Sequence, residues 1–140
     1  MESTKKEPEE TIAEMQVLLK KHNIRDILIS YDDNGEVSAM SFTIKTDNGT
    51  LPFRLPANHR PLWKMAEAGQ TKYIRDEQQA RRVAWRQVFR WVEAQLALIR
   101  IDMAKLEEIF LPYMMVNERQ TVYDTYLDAG FNQLALPEKT

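Results

Sequence analysis

Three arginines stand four residues apart in this 140-residue chain: Arg82, Arg86 and Arg90. On a helix that spacing lines their guanidinium groups along one row. Such a row suits phosphate oxygens, because each guanidinium offers several N–H donors in a planar, permanently charged fork. Six further cations lie close in the sequence: Arg54, Arg60, Lys64, Lys72, Arg75 and Arg81. Trp63, Tyr73 and Trp85 fall among them. Cations beside aromatics are what single-stranded nucleic acid requires, for phosphate contact and base stacking respectively. The plain alternative is a solvated helix face on which Asp76, Glu77 and Glu93 pair with some of the arginines.

Catalytic chemistry is harder to assemble. His22 and His59 share no metal-ligand spacing, and cysteine is absent, which removes thiolate nucleophiles and cysteine-held metals. Neither a Gly-x-Ser-x-Gly elbow, a phosphate-binding glycine loop nor a His-Glu-x-x-His pair is present. Asp32 and Asp33 precede a glycine as in a calcium loop, but the remaining ligands and the closing Glu are missing, so they read as turn residues. The expectation is a protein that is not an enzyme and carries no cofactor or metal.

The formal net charge of -2 conceals an uneven distribution. Between Arg54 and Arg90 nine basic residues stand against three acids, a balance of +6. From Asp102 onward seven acids stand against three bases, a balance of -4. A basic middle and an acidic end point to an interaction role. The acidic set Asp102, Glu107, Glu108, Asp124 and Asp128 suits a cationic surface on another copy or on a partner protein. No apolar run approaches the ~18 residues that cross a bilayer, and the start MESTKKEPEE lacks a signal-peptide core. A cytoplasmic setting without membrane contact is expected.

The elements that must position these residues follow from periodicity. Residues 76–100 form one run without Gly or Pro. In it Trp85, Phe89, Val92, Leu96 and Ile99 recur at helical spacing, and Ala84, Val88, Trp91 and Leu98 repeat the rhythm one residue earlier. Two adjacent apolar seams assign Trp85 and Trp91 to a core and leave the arginine row facing either solvent or a second subunit. Asp76 is the expected N-cap. Asp102 is a candidate cap for a second helix over Met103–Leu111, although one bent helix through Met103, Leu106 and Phe110 fits equally.

Ahead of this run, residues 1–8 read as a disordered lead-in, and 9–23 as a helix ending at His22-Asn23. Residues 25–55 read as a three-stranded antiparallel meander with turns at Asn34-Gly35 and Asn48-Gly49. Met40, Phe42 and Ile44 mark its core face, while Pro52 requires an edge or an outward-facing position. A short helix from Pro61, a last helix near Val122–Ala129 capped by Thr121, and a frayed tail over 135–140 complete a single α+β domain.

Helix, three strands, helix is also the order of double-stranded-RNA-binding domains. The resemblance is topological, because the Lys-Lys-x-Ala-Lys run of that family has no counterpart here. A closer resemblance spans almost the whole chain. PFRLP (Pro52–Pro56), AWR (Ala84–Arg86), WVEAQLALI (Trp91–Ile99) and LEEIFLPYM (Leu106–Met114) are similar to segments of a family of small, uncharacterised bacteriophage and prophage proteins. The chain departs from that pattern at Arg100-Ile101-Asp102, where relatives carry an acid and a glycine. The resemblance implies a phage setting (DNA replication, recombination or counter-defence) and assigns no catalytic residue. Combined with the basic stretch, it leads to the expectation of a phage accessory protein binding single-stranded or junction DNA through Arg54, Arg60, Lys64, Lys72, Arg75, Arg81, Arg82, Arg86 and Arg90. The competing expectation is a protein–protein module, such as an inhibitor of a host defence or DNA-processing complex, with a homo-oligomer also open.

Overall fold

In the computed structural model, residues 4–71, 74–132 and 134–137 are described. The order is α1 (Pro8–Lys21), β1 (Asp26–Tyr31), β2 (Val37–Thr46), β3 (Gly49–Arg54), α2 (Arg60–Glu67), α3 (Glu77–Arg100), α4 (Leu106–Phe110), a 3-10 turn (Leu111–Tyr113) and α5 (Val122–Asp128). The α+β architecture with its antiparallel meander and one long helix agrees with the sequence reading.

The sheet has strand order β1-β2-β3. Asp32 shapes the first hairpin by accepting from the Asn34 and Glu36 N–H groups at 2.9 and 3.0 Å, which fixes it as a turn residue. Gly35 and Gly49 adopt φ of +79° and +109°, which side chains resist. Ile27 faces Phe42, which faces Phe53, and Ile29 faces Met40. These side chains form the inner face, and the intervening Leu28, Ser41 and Arg54 form the outer one. Leu55 N–H donates to the Met40 carbonyl at 2.9 Å. By alternation, Pro52 then turns its missing N–H away from β2, so it costs no ladder bond. Its carbonyl instead accepts from Met115 at 2.8 Å, and Phe53 bridges Met114. Segment 114–121 thus covers part of the β3 edge.

Ile12, Met15 and Leu19 of α1 and Trp85, Phe89, Val92 and Leu96 of α3 bury against the inner sheet face. Phe110 closes the core, edge-on to Phe42 and to Trp91 at 5.6 and 5.5 Å between ring centroids. A second cluster joins Ile74, Ala80 and Val83 to Leu62, Trp63 and Ala66 and seats α2 on the first half of α3.

Two boundary expectations need correction. Residues 1–8 read as a disordered lead-in; 1–3 lie outside the described residues, but Gln79 donates to the Thr4 carbonyl, Arg82 donates to Glu7, and α1 already begins at Pro8, so 4–8 are tied to the fold. Asp102 does not cap a second helix. It lies at φ +60° just past the Ile101 C-cap of α3, and the Met103 N–H returns to the Leu98 carbonyl at 3.0 Å. Such a left-handed residue ends a helix by satisfying its last carbonyls. Met103 is then 70% exposed rather than part of the seam, and α4 starts afresh at Leu106.

Candidate functional site

Asp76 accepts the Gln79 N–H at 2.7 Å and so sets the start of α3 and the direction of every arginine on it. The row Arg82–Arg86 turns out to face α1, not solvent. Arg82 Nε donates to Glu7 at 2.8 Å, and its Nη1 to Gln79 at 3.0 Å. Arg86 pairs with Glu14, which also binds Lys6. Arg86 further stacks 4.6 Å from the centre of the Phe89 ring. These contacts recur in the same order along both helices, with Glu7 at the N-cap of α1 and Glu14 within it. Lys6, followed by Arg86, holds the Glu14 carboxyl below the usual carboxylate range. Arg82 and Arg86 therefore fasten α1 to α3. Arg90, further along the row, is exposed and engaged in contacts of its own.

The other arginines have a different setting. Arg54 closes β3, Arg60 opens α2, and Arg81 lies one position off the row on α3. All three line one cleft of about 510 Å³ with Asn58, His59 and Ser38. The chain from 55 to 60 forms its wall. Leu55 is buried and hydrogen-bonded to β2, Ala57 N–H returns to the Leu55 carbonyl, and Asn58 accepts the Arg60 N–H at 3.2 Å. His59 meets Glu77 at 2.9 Å, and both line the cleft. That bond, with the Arg81 and Arg60 charges behind it, keeps the Glu77 carboxyl below its ordinary value.

Arg81 lies between two carboxylates that also line the cleft. Its side chain is 14% exposed and faces Asp32 at 3.7 Å and Glu77 at 3.8 Å, both long for charge-assisted bonds. Its Nε is buried without a hydrogen-bond partner among the described residues. A guanidinium held between two loose carboxylate contacts has donor capacity left for an anion, at the expense of those contacts.

Of the nine cations singled out from sequence, the fold gathers Arg54, Arg60 and Arg81 in the cleft and uses Arg82 and Arg86 for packing. Lys64 and Arg75 are exposed outside it, and Lys72 lies outside the described residues, as does Tyr73. Trp85 is buried, as its place in the apolar seams requires, and so is not available for stacking, while Trp63 is half-buried in the second cluster. The sequence reading does not single out Asn58, and it sets His59 aside for want of a metal-ligand partner. Their position between Arg54 and Arg60 in a proline-bracketed loop was the available signal.

Among the described residues, no group of three His, Cys, Asp or Glu is placed to hold a metal ion, and no helix is long and apolar enough to cross a membrane. Comparison with family models, curated proteins and solved structures returns no match to this chain.

Proposed function

We propose that the protein binds the phosphate backbone of nucleic acid in the cleft between β3, α2 and the first turns of α3, without catalysing a reaction on it. The observation that carries this reading is the convergence of Arg54, Arg60 and Arg81 on one cavity. A volume of about 510 Å³ matches a small-ligand pocket, so it suits a strand end or an extruded nucleotide rather than a duplex. Single-stranded or junction DNA presents such groups. The resemblance to small phage proteins supplies the setting, a phage genome being replicated or recombined in a host cell. With Trp85 interior and Trp63 half-buried, phosphate contact dominates over stacking, and little sequence preference is expected.

The test is fluorescence anisotropy with a labelled single-stranded oligonucleotide across a salt series. Three neutralised phosphates give a slope of log affinity against log salt near about -2. Arg54→Glu with Arg60→Glu abolishes binding while leaving the melting temperature unchanged. Arg82→Glu with Arg86→Glu lowers the melting temperature instead, because those residues face Glu7 and Glu14. Absence of binding at low salt overturns the proposal. So does a stoichiometric protein partner captured from nuclease-treated lysate by a chain that retains no oligonucleotide affinity, the outcome of an interaction module.

A further inference from the structure

The two edges of the sheet are treated differently. Beside β3, Met114 and Met115 cover Phe53 and Pro52. Beside β1, no described residue pairs. Proteins normally blunt an open edge with proline, lysine or a bulge along its length. β1 reads Asp-Ile-Leu-Ile-Ser-Tyr and carries neither proline nor lysine, and its one irregularity comes at its end, between Ser30 and Tyr31.

The hydrogen-bonding sense of that edge can be worked out. Met40 directs its carbonyl to Leu55 and hence towards β3. Ala39, Ser41 and Thr43 therefore direct theirs to Ser30, Leu28 and Asp26. Ile27 and Ile29 are left with their N–H and C=O groups pointing outward from the edge.

We propose that β1 pairs antiparallel with β1 of a second copy about a two-fold axis at Leu28, joining two sheets into one of six strands. In this register Ile27 of each copy exchanges backbone hydrogen bonds with Ile29 of the other. Leu28 opposes Leu28 in the closely spaced, non-hydrogen-bonded position on the outer face, where it is 64% exposed in the single chain. Asp26 meets Ser30, and Arg25 meets Tyr31, itself exposed.

The neighbouring registers fit less well. Centring on Ile29 sets Asp26 against Asp32, a like-charge pair. Centring on Ile27 sets Asp26 against Leu28 and Arg25 against Ile29. Charge beyond the strands supports the antiparallel pairing itself. The antiparallel arrangement carries the acidic hairpin of one copy, Asp32 and Asp33, alongside the basic end of the other's α1, with Lys20, Lys21 and Arg25, and does so twice. Such an isologous contact is closed, so it stops at two copies. It does not rest on the nucleic-acid reading.

Because the chain contains no cysteine, one substitution tests the register. Directly opposed residues at a non-hydrogen-bonded position have Cα atoms about 4.5 Å apart, within disulfide reach. Leu28→Cys is expected to oxidise to a covalent dimer under mild conditions, and Ser30→Cys alone is not. Sedimentation of the unmodified full chain should show a concentration-dependent dimer that weakens as salt rises. Leu28→Asp should raise its dissociation constant about tenfold or more with the circular dichroism unchanged. Ser30→Lys, facing Asp26 of the other copy, should tighten it, and Ser30→Asp should loosen it. A chain that stays monomeric at millimolar concentration overturns the proposal. So does a dimer indifferent to Leu28→Asp, or one in which Ser30→Cys crosslinks in preference to Leu28→Cys.

Discussion

Glu14 accepts from Lys6 and Arg86 together, so one carboxylate joins the segment before α1 to the middle of α3. Arg86 is only 14% exposed and Glu14 is 37% exposed, which places the pair between surface bridges and buried ones. Replacing Arg86 by Met should cost about 1–2 kcal/mol in denaturant unfolding, between the small value of exposed pairs and the larger loss on breaking buried ones. The pH dependence has a definite sign. The folded state depresses the Glu14 pKa, so its stabilisation is complete above the ordinary carboxylate value of about 4.3 and is lost as pH falls through the lower folded value. Glu14→Gln should thus be less stable than the parent at neutral pH, with the difference in urea midpoint closing in that acid window. His22 acts in the same sense at higher pH. Burial, reinforced by Arg100 and Lys21, lowers its pKa, so its contribution is present above about 6.5 and is lost as pH falls through the folded value.

Among the elements, α3 owes its exact length to its two ends. Asp76 secures the first turn, and Asp102 at φ +60° ends the last. A left-handed conformation costs an ordinary L-residue roughly 1–2 kcal/mol, less for Asp and nothing for Gly. Asp102→Val should therefore destabilise by about 1–2 kcal/mol, and Asp102→Gly should be tolerated, both read from thermal or urea midpoints. Sequence periodicity left one helix or two open here, because Met103, Leu106 and Phe110 keep helical spacing whether or not the axis breaks between them.

In the molecule as a whole, a chain of rings connects the layers. Phe53 stacks on Phe42, Phe42 meets Phe110, Phe110 meets Trp91, and Trp91 meets Tyr113. Phe110 is fully buried at the junction of sheet, α3 and α4. Phe110→Ala should cost about 3–5 kcal/mol through lost burial and the cavity left behind, measured as a drop in the urea midpoint at unchanged slope. The cleft lies at the other end of α3 and shares none of these residues. Its occupation by an anion should accordingly be separable from core stability, as the paired arginine substitutions test.

What could be read from sequence is what lies within a few residues along the chain. The two Asn-Gly hairpins, the alternation of Met40, Phe42 and Ile44, the Asp76 and Thr121 caps and the outward Pro52 all depend on neighbours in sequence or on a period of the backbone itself. The core assignment of Trp85 followed from the same periodicity. Helical spacing also placed Arg82 and Arg86 on one face, but it carries no information on what that face meets. Their partners Glu7 and Glu14 lie 75 and 72 residues away in the chain. The convergence of Arg54, Arg60 and Arg81 likewise requires β3, α2 and α3 to be packed together. The sequence by itself determined which residues share a strand or helix face, since backbone geometry imposes that locally. Only the tertiary structure decided which cations became fasteners and which remained around an open cleft, because that choice depends on which faces come together when the core is buried.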